Sequence, residues 1–415
     1  MNNFKLNRNE ILNNIEDNSL VILYSGALKQ ASADESYPFK VNMNFYYLTG
    51  IKQDNVYYLC KKINGKIEEH LFIYKNDPVK IRWIGAYLYE DEAKEIADIN
   101  NIHYVDEFNS YVTKILLSKK IKYVYLDLEK PDFAGQINFG YQLKDKVNAI
   151  DFSKKVIDIY PIIVANRGIK KPYEVDLFKE DVRITKLALE EVMKKLPSLD
   201  TEYQVQAVFE GAIKFIGNAR TSFDTIAASG KNAAILHYHS NDAKMDKNDM
   251  ILLDLGAENN MYHADISRTY PISGKFNPLQ KTIYSIVLEC NKYIISIMKP
   301  GISVRELQNE TIRFLQEGCL KHGLIKDKEE IKNYYFHGIS HHIGLDTHDP
   351  YPRYSGTLVP GMILSCEPGL YFEELGIGVR IEDDILITED GNINLSEDII
   401  KEIDDIENFM SQYIK

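Results

Sequence analysis

The chain has 415 residues, of which 45% are hydrophobic and 27% are charged, and its formal net charge is −12. This length predicts two or three domains with a sizeable core. The acidic balance argues against nucleic acid or an anionic membrane surface as the main partner.

The cysteines show neither CxxC spacing nor a dense framework, which indicates free thiols in a reducing compartment. They are Cys60, Cys290, Cys319 and Cys366. The N-terminus is polar and lacks the apolar segment of a signal peptide. No apolar run reaches 18 residues, so we expect no membrane span and a cytoplasmic location.

Residues 1–165 alternate between strand-like and helical patterns, which predicts an α/β domain with a partly parallel sheet. The candidate strands are Leu20–Tyr24, Val56–Cys60, Leu71–Tyr74, Tyr123–Leu126 and Ala149–Phe152. The candidate helices include Glu90–Ala97 and Ser110–Leu117. Nothing in this half has metal-ligand spacing.

Two aromatic features stand out in this half. The stretch Tyr37–Gly50 (YPFKVNMNFYYLTG) is interpreted from its pattern as a buried, aromatic-rich strand edge. Trp83, the only tryptophan, is expected in the core of its own subunit. The alternative is an exposed aromatic contact in a homo-oligomer.

From Arg167 onward the pattern becomes that of a charged amphipathic helix with Pro172 in its first turn. We therefore predict a domain boundary near residue 165, which gives domains 1–165 and 166–415. A second helix is predicted over Thr201–Phe215. Strands are expected around Phe223–Ala227 and Met250–Leu255.

Asp254 and Asp265 lie in two apolar runs separated by Asn259 and Asn260, a candidate hairpin tip because Asn tolerates positive φ. A tip at these residues places the two aspartates directly opposite each other, with Cβ atoms roughly 5 Å apart. Such a pair of like charges is destabilising unless cations lie between them. A coincidental pairing is the alternative.

Two long helices are then predicted, about Pro278–Met298 and Val304–Gly323, and an acidic amphipathic helix over Ser396–Lys415. Between them lies the stretch His337–Glu382, in which His337, His341 and His348 are followed by Glu367 and Glu382, each in a short apolar run. Glycines and an Asp-Pro step predict an irregular, non-helical path for the histidines.

One histidine and four carboxylates would form an oxygen-rich site for hard divalent metals, and a charge of −4 would balance two M²⁺ ions. The order Asp254, Asp265, His341, Glu367, Glu382 resembles the dinuclear metallopeptidases of the pita-bread fold. The segments HGISHHIGLDTHD and YPFKVNMNFYYLTG are similar to the Xaa-Pro aminopeptidases (aminopeptidase P). The resemblance implies an α/β (α+β) chain with an N-terminal non-catalytic domain and a pita-bread catalytic domain.

The resemblance also implies roles for individual residues. The five residues in that order would be the metal ligands. His337 and His348 would serve the substrate, as would His237, seventeen residues before Asp254. His237 and His348 could hydrogen-bond the substrate carbonyl and the developing oxyanion, and His337 the proline side.

Further roles follow from the chemistry of the residues. Glu367 is expected to shuttle the proton and Arg380 to orient Glu382. Tyr371 and Thr269 are candidates whose ordinary structural roles are equally plausible. His239 and His342 are expected to point elsewhere, and His263 stays open. Mn(II) is favoured, with Co(II), Zn(II) or Fe(II) as alternatives.

The implied function is hydrolysis of the bond between an N-terminal residue and a following proline, through a hydroxide bridging two divalent metals. The alternatives are a prolidase restricted to Xaa-Pro dipeptides, a binding protein that has lost catalysis, and creatinase-type amidine hydrolysis. A homodimer or higher oligomer is expected, in which the N-terminal domain of one subunit narrows the site of another. The run Pro350-Tyr351-Pro352, where the family often has Val-Gly and a longer loop, predicts a short, stiff rim.

Overall fold

The structure, a computed structural model, describes residues 2–130, 138–351 and 356–414. The chain forms two compact units, Met1–Arg167 and Gly168–Lys415. Every helix among the described residues is too short or too polar to span a bilayer. Pro352, part of the predicted stiff rim, lies outside the described residues.

A six-stranded sheet organises the N-terminal unit, in the order β4-β3-β2-β1-β5-β6. Its strands are β1 (Ser19–Tyr24), β2 (Tyr57–Ile63), β3 (Lys66–Ile73), β4 (Asn101–Tyr104), β5 (Tyr123–Leu126) and β6 (Lys155–Asp158). Strand β1 pairs antiparallel with β2 and parallel with β5, and β3 is parallel to β4. The sheet is mixed, so the prediction of a partly parallel sheet is confirmed.

The helices of this unit are α1 (Asn3–Asn13), α2 (Met43–Thr49), α3 (Pro78–Ile84), α4 (Glu90–Ala97), α5 (Phe108–Leu116), α6 (Phe139–Ile150) and α7 (Tyr160–Arg167). Helices α5 and α6 bury apolar faces against the sheet, where Phe108, Val112 and Val147 meet Leu20 and Val124. Burial of these side chains provides the main stabilisation of the unit.

The aromatic stretch Tyr37–Gly50 contains helix α2 and no strand, so the predicted strand edge is wrong. All seven residues of α2 are buried. The Asn42 side chain caps its first turn by accepting from Phe45 N (2.8 Å), and Gly50 ends it in the left-handed region with φ of 72°. These two end signals favour a helix over a strand.

Two other expectations for this half are wrong. The predicted strand Ala149–Phe152 overlaps the end of α6, and the strand lies further on, at β6. Trp83, expected in the core, is 84% exposed on α3, a helix without a buried residue. Being aromatic, or being the only tryptophan, does not bury a side chain when its helix does not pack against the core.

The second unit contains the helices α8 (Pro172–Lys195), α9 (Glu202–Gly217), α10 (Pro278–Ile297), α11 (Val304–Lys321) and α12 (Ile403–Ser411). Its first strands are β7 (Arg220–Thr221), β8 (Ile226–Ser229), β9 (Met250–Leu255), β10 (Ala257–Glu258) and β11 (Ile266–Pro271). The later ones are β12 (Ile363–Cys366), β13 (Gly369–Phe372), β14 (Ile377–Arg380), β15 (Asp383–Ile387) and β16 (Asn392–Asn394). The two long helices α10 and α11 are confirmed, and the acidic tail is helical only over α12.

The strands of this unit form small antiparallel sheets. Strand β9 lies between β8 and β11, β15 lies between β12 and β16, and β13 pairs with β14. The Thr269 hydroxyl donates to Arg380 O (3.2 Å) and accepts from Arg380 N (3.2 Å), which joins β11 to β14. Strands β11 and β14, which belong to separate sheets, therefore lie next to each other.

The hairpin of β9 and β11 has a different register from the one predicted. Asp254 lies opposite Ser267, not opposite Asp265, which immediately precedes β11. The positive φ of the tip falls on Met261 (72°), and Asn259 and Asn260 have negative values. Because the register differs by two residues and strand side chains alternate, Asp254 keeps the expected face.

Candidate active site

Three predicted ligands converge in the second unit. One ligand atom each of Asp265, His341 and Glu382 lies within 4.8 Å of the other two. His341 Nε2 is 3.4 Å from Asp265 Oδ2 and 3.9 Å from Glu382 Oε1. Glu367 Oε1 lies 3.6 Å from the same nitrogen. The ends of strands from two sheets therefore supply one cluster.

His341 is held by backbone pairing and not by a helix. Ser365 N donates to His341 O (2.9 Å), and His341 N donates to the Ser365 hydroxyl (2.9 Å). Glu367 N donates to Ile339 O at 3.0 Å, one step further along the same ladder. The predicted irregular path of the histidine segment is confirmed, and its alignment beside β12 brings His341 to Glu367.

Asp254 lies beside this cluster on β9. Its Oδ2 accepts from Arg380 Nη2 at 2.5 Å. Its Oδ1 is buried and has no hydrogen-bond partner among the described residues. A buried, unsatisfied carboxylate oxygen is costly, and a bound cation removes that cost.

Burial and mutual repulsion raise the pKa of Asp254, Glu367 and Glu382. Burial, with the charge of Asp265, raises the pKa of Asp254 to about 6 although Arg380 opposes the shift. Burial raises the pKa of Glu367 to about 7 against the opposing effect of His341. Burial and the charges of Asp265 and Glu367 hold the pKa of Glu382 well above its usual range. In these groups burial and mutual repulsion outweigh the nearby positive charges of Arg380 and His341.

The donor set fits a divalent metal ion. Carboxylate oxygens and one imidazole nitrogen suit Mn(II) and the other first-row divalent ions. Burial lowers the pKa of His341, but the hydrogen bond and charge of Asp265 raise it to about 9. A proton held on His341 would stand as a cation among the carboxylates, and a metal ion would replace it.

The other histidines of the prediction surround the cluster. His337 Nδ1 is 3.7 Å from Glu367 Oε2, and the His348 ring is 4.4 Å from that of His341 in an edge-to-face arrangement. The charge of His237 helps to lower the pKa of both His337 and His348, although burial is the larger cause for each. The structure thus places His337 and His348 against the cluster, and the role of His237 stays a prediction.

The comparisons with known proteins agree with this arrangement. Residues 176–389 match metallopeptidase family M24, and residues 4–125 match the aminopeptidase P N-terminal domain. The chain is 32% identical to the Xaa-Pro aminopeptidase of Haemophilus influenzae over 98% of its length and 97% of the relative's. It is 31% identical to that of Escherichia coli, with the same coverage. The chain belongs to the Xaa-Pro aminopeptidase family of M24 metallopeptidases.

Solved structures of Xaa-Pro aminopeptidases have the same fold. Zn-substituted E. coli aminopeptidase P in complex with product is 30% identical, with a TM-score of 0.90 over 100% of this chain and 98% of that one. The same E. coli protein has been solved with the inhibitor Pro-Leu. A structure from Bacillus anthracis assigned as an aminopeptidase P is 41% identical, with a TM-score of 0.95 over 99% and 98% of the two chains. The fold class and the assignment as a hydrolase are confirmed.

Ser267 is a residue of this Xaa-Pro aminopeptidase site that the sequence analysis missed. Its buried hydroxyl donates to Glu382 Oε2 (2.7 Å) and accepts from Arg380 Nε (2.8 Å). Arg380 therefore reaches Glu382 through Ser267 and binds Asp254 directly. The sequence held a signal for Ser267, because residues two apart in a strand lie on the same face and Ser267 follows Asp265 by two.

The minor candidates have varied placements. Tyr371 is buried, accepts from Arg380 Nη1 (3.2 Å) and is hydrogen-bonded to His337 Nε2 (2.8 Å). Thr269 bonds to the backbone of Arg380, and not to a ligand carboxylate.

The remaining histidines lie outside the cluster. His263 is buried with its Nδ1 3.4 Å from Gly344 O. His342 is buried against the Tyr351 ring at 4.0 Å. His239 is exposed, with its ring centroid 6.2 Å from that of His237.

Proposed function

We propose that this member of the Xaa-Pro aminopeptidase family hydrolyses the bond between an N-terminal residue and a proline at position two. The observation that carries the proposal is the carboxylate–histidine cluster with His337 and His348 against it. An imide bond has no N–H, and the proline ring restricts the preceding residue, so this bond needs a dedicated site. The Pro-Leu complex of the E. coli relative supports a peptide with proline as the ligand.

We propose two divalent metal ions as cofactors, with Mn(II) favoured and Zn(II), Co(II) or Fe(II) as alternatives. Asp254 and Asp265 would hold one ion, His341 and Glu367 the other, and Asp265 and Glu382 would bridge them. When bound, the two ions would supply the bridging hydroxide that attacks the scissile carbonyl, and would polarise that carbonyl. The unsatisfied Oδ1 of Asp254 and the raised carboxyl pKa values support this ligand set.

The chain's own residues would handle protons and the substrate. Glu367, a carboxylate that would lie beside the activated water, is suited to take up a proton and return it to the leaving nitrogen. Burial lowers the pKa of His337 to about 4 and lowers that of His348, so both rings are neutral hydrogen-bonding groups at pH 7. His348 and His237 would bind the substrate carbonyl and the developing oxyanion, and His337 the proline side.

We further propose a homodimer or higher oligomer. The exposed apolar side chains on α3, Val79, Trp83 and Ile84, support an interface on the N-terminal unit. We assign that unit a non-catalytic role. The four cysteines are free and buried, which supports the proposed cytoplasmic location.

The test is an assay of metal-dependent release of the first residue from short peptides. The chelated protein and the protein reloaded with Mn(II) are each given an Xaa-Pro-Xaa tripeptide, an Xaa-Pro dipeptide and an Xaa-Ala-Xaa tripeptide. We expect cleavage of the first only, or far faster than the others, and only with metal. Cleavage restricted to the dipeptide would indicate a prolidase, and cleavage of none would contradict the proposal.

A further inference from the structure

Glu202, the first residue of α9, is a fully buried carboxylate with an unusual set of partners. Its Oε1 accepts from Ser229 N (2.8 Å), Ser229 Oγ (2.7 Å) and Asn232 Nδ2 (3.0 Å). Its Oε2 accepts from Tyr238 OH (2.8 Å) and Ala243 N (3.0 Å). All five donors lie in one segment, residues 229–243, which contains His237.

Glu202 is stabilised by these donors alone. Across the described parts of the chain, no lysine, arginine or histidine forms an ion pair with it. A buried carboxylate without a cation is costly unless hydrogen bonds replace its lost hydration. Five donors satisfy both oxygens, so the side chain fastens the segment from inside the protein.

The segment needs such fastening because it has little regular structure. A short 3₁₀ helix covers Gly230–Ala234, and neither helix nor strand follows until β9. The backbone alternates around Tyr238: that ring is buried towards Glu202, and the flanking His237 and His239 are exposed. The direction of His237 is therefore set by the anchoring of its neighbour.

A second contact fixes the far end of the segment. Asn241 Oδ1 accepts from Ala227 N (2.9 Å), and its Nδ2 donates to Thr225 O (2.7 Å). The loop is thus held to the start of β8 as well as to α9. His237 lies in this anchored segment, directly before Tyr238.

We propose that Glu202, acting through Tyr238, is the positioning residue that holds His237 in its catalytic place. The inference rests on the proposed function, which assigns His237 to the substrate. A loop histidine must be held within about 0.5 Å to act on a substrate, and hydrogen bonds from surrounding residues supply that precision. Displacement by about 1 Å can cost on the order of 10² in rate.

The experiment is a double-mutant cycle on full-length, metal-loaded protein, with kcat and KM measured on an Xaa-Pro-Xaa tripeptide. Tyr238→Phe removes one donor to Glu202 and keeps the ring, and His237→Ala removes the positioned group. Glu202→Gln is the second variant, because its amide NH₂ cannot accept from the donors that face it. Tyr58→Phe is the matched control, since Tyr58 OH donates to Glu69 Oε1 at 2.9 Å in the N-terminal unit.

We expect Tyr238→Phe to lower kcat about tenfold in the wild-type background and less than about twofold in the His237→Ala background. The control Tyr58→Phe should leave kcat unchanged in both backgrounds. Hydrogen exchange of the amides of residues 235–243 should quicken in Tyr238→Phe and Glu202→Gln.

Each other outcome has a definite meaning. If Tyr238→Phe lowered kcat by the same factor in both backgrounds, the role of Glu202 would be overturned. The same holds if neither Tyr238→Phe nor Glu202→Gln lowered kcat, and the proposed function would stay in place in both cases. Full kcat in His237→Ala would refute the role of His237 itself. Absence of Xaa-Pro hydrolysis by the wild-type protein would contradict the proposed function and the positioning role together.

Discussion

At the scale of single residues, the cluster combines buried carboxyl groups that repel one another. Asp254, Glu367 and Glu382 each have a raised pKa, with burial as the first cause. The only strong cationic support that the structure gives Asp254 is Arg380. A site of this kind costs folding stability and is stabilised when cations bind.

The first prediction concerns pH and the metal-free protein. A carboxyl group whose pKa is raised on folding stabilises the fold below its unfolded pKa and loses that contribution as pH rises through the folded value. With folded values of about 6 for Asp254 and about 7 for Glu367, the Tm of chelated protein should fall between pH 5 and pH 8. The Tm of Glu382→Gln should fall less over that range. The Tm of Glu389→Gln, a change on an exposed turn, should follow that of wild type. Calorimetry in chelator checks this; a Tm that rises over that range would contradict it.

The second prediction concerns the bridging carboxylates. Asp265→Ala or Glu382→Ala should abolish activity and metal binding, because each change removes one ligand from both proposed ions. Even outer partners of a ligand contribute about 10- to 100-fold to metal affinity, so the loss should exceed that. The control is Glu258→Ala, in the same hairpin, whose carboxylate pairs with Arg220 at 3.3 Å. Metal analysis and peptide assay check both; full activity of Asp265→Ala with one metal or none would disprove the dinuclear site.

The third prediction separates the histidines. His348→Ala should lower kcat by on the order of 10²–10³ with two metals still bound, because a transition-state donor is lost and a ligand is not. His341→Ala should lose metal. Elemental analysis of both variants decides the matter, and the reverse pattern would exchange the two assignments.

At the scale of elements, the segment from Ile339 to Asp349 carries two histidines of the site and is held at both ends. Its start pairs with β12, and its end is fixed by the buried ion pair of Lys170 and Asp349, 3.0 Å apart. Gly344 allows the turn between them, because a Cβ there would lie 2.5 Å from Asp349 Oδ2.

The fourth prediction tests this ion pair. Lys170→Met should lower the free energy of unfolding by about 3–5 kcal/mol, since it removes the cation from a pair in which both side chains are 1% exposed. Lys186→Met, whose pair with Asp398 spans 3.9 Å at the surface, should change it by less than about 1 kcal/mol. Urea unfolding of both variants provides the comparison, and equal losses would contradict the structural role.

At the scale of the whole molecule, the N-terminal unit has its own sheet and core, and exposes apolar side chains on α3. Trp83 is the largest of these, and isolated exposed tryptophans are often anchors of protein interfaces.

The fifth prediction concerns assembly. Light scattering of the full-length protein should give the mass of a dimer or a higher oligomer, and Trp83→Ser should lower it, because the buried area of an aromatic anchor is lost. Phe152→Ser is the control, since Phe152 is 90% exposed in the same unit but lies outside α3. A monomeric wild-type protein would remove the proposal.

The sequence by itself determined the family and the types of the elements that have a strong period. The order of acids and histidines identified the ligand candidates, and the termini of Glu90–Ala97 and Met250–Leu255 agree with the structure. The mixed sheet and the long helices α10 and α11 also followed from patterns within 20 or so neighbouring residues, where periodicity acts.

Only the tertiary structure decided the features that depend on distant partners. The register of the hairpin follows from the tip at Met261 and from β8 pairing on the far side of β9, which no local pattern encodes. Trp83 is exposed because no element covers α3 within its unit. Ser267 and Glu202 became relevant only when strands and loops from separate stretches met them. Burial and hydrogen-bond satisfaction are properties of the packed chain, so they cannot be read from the neighbours of a residue in sequence.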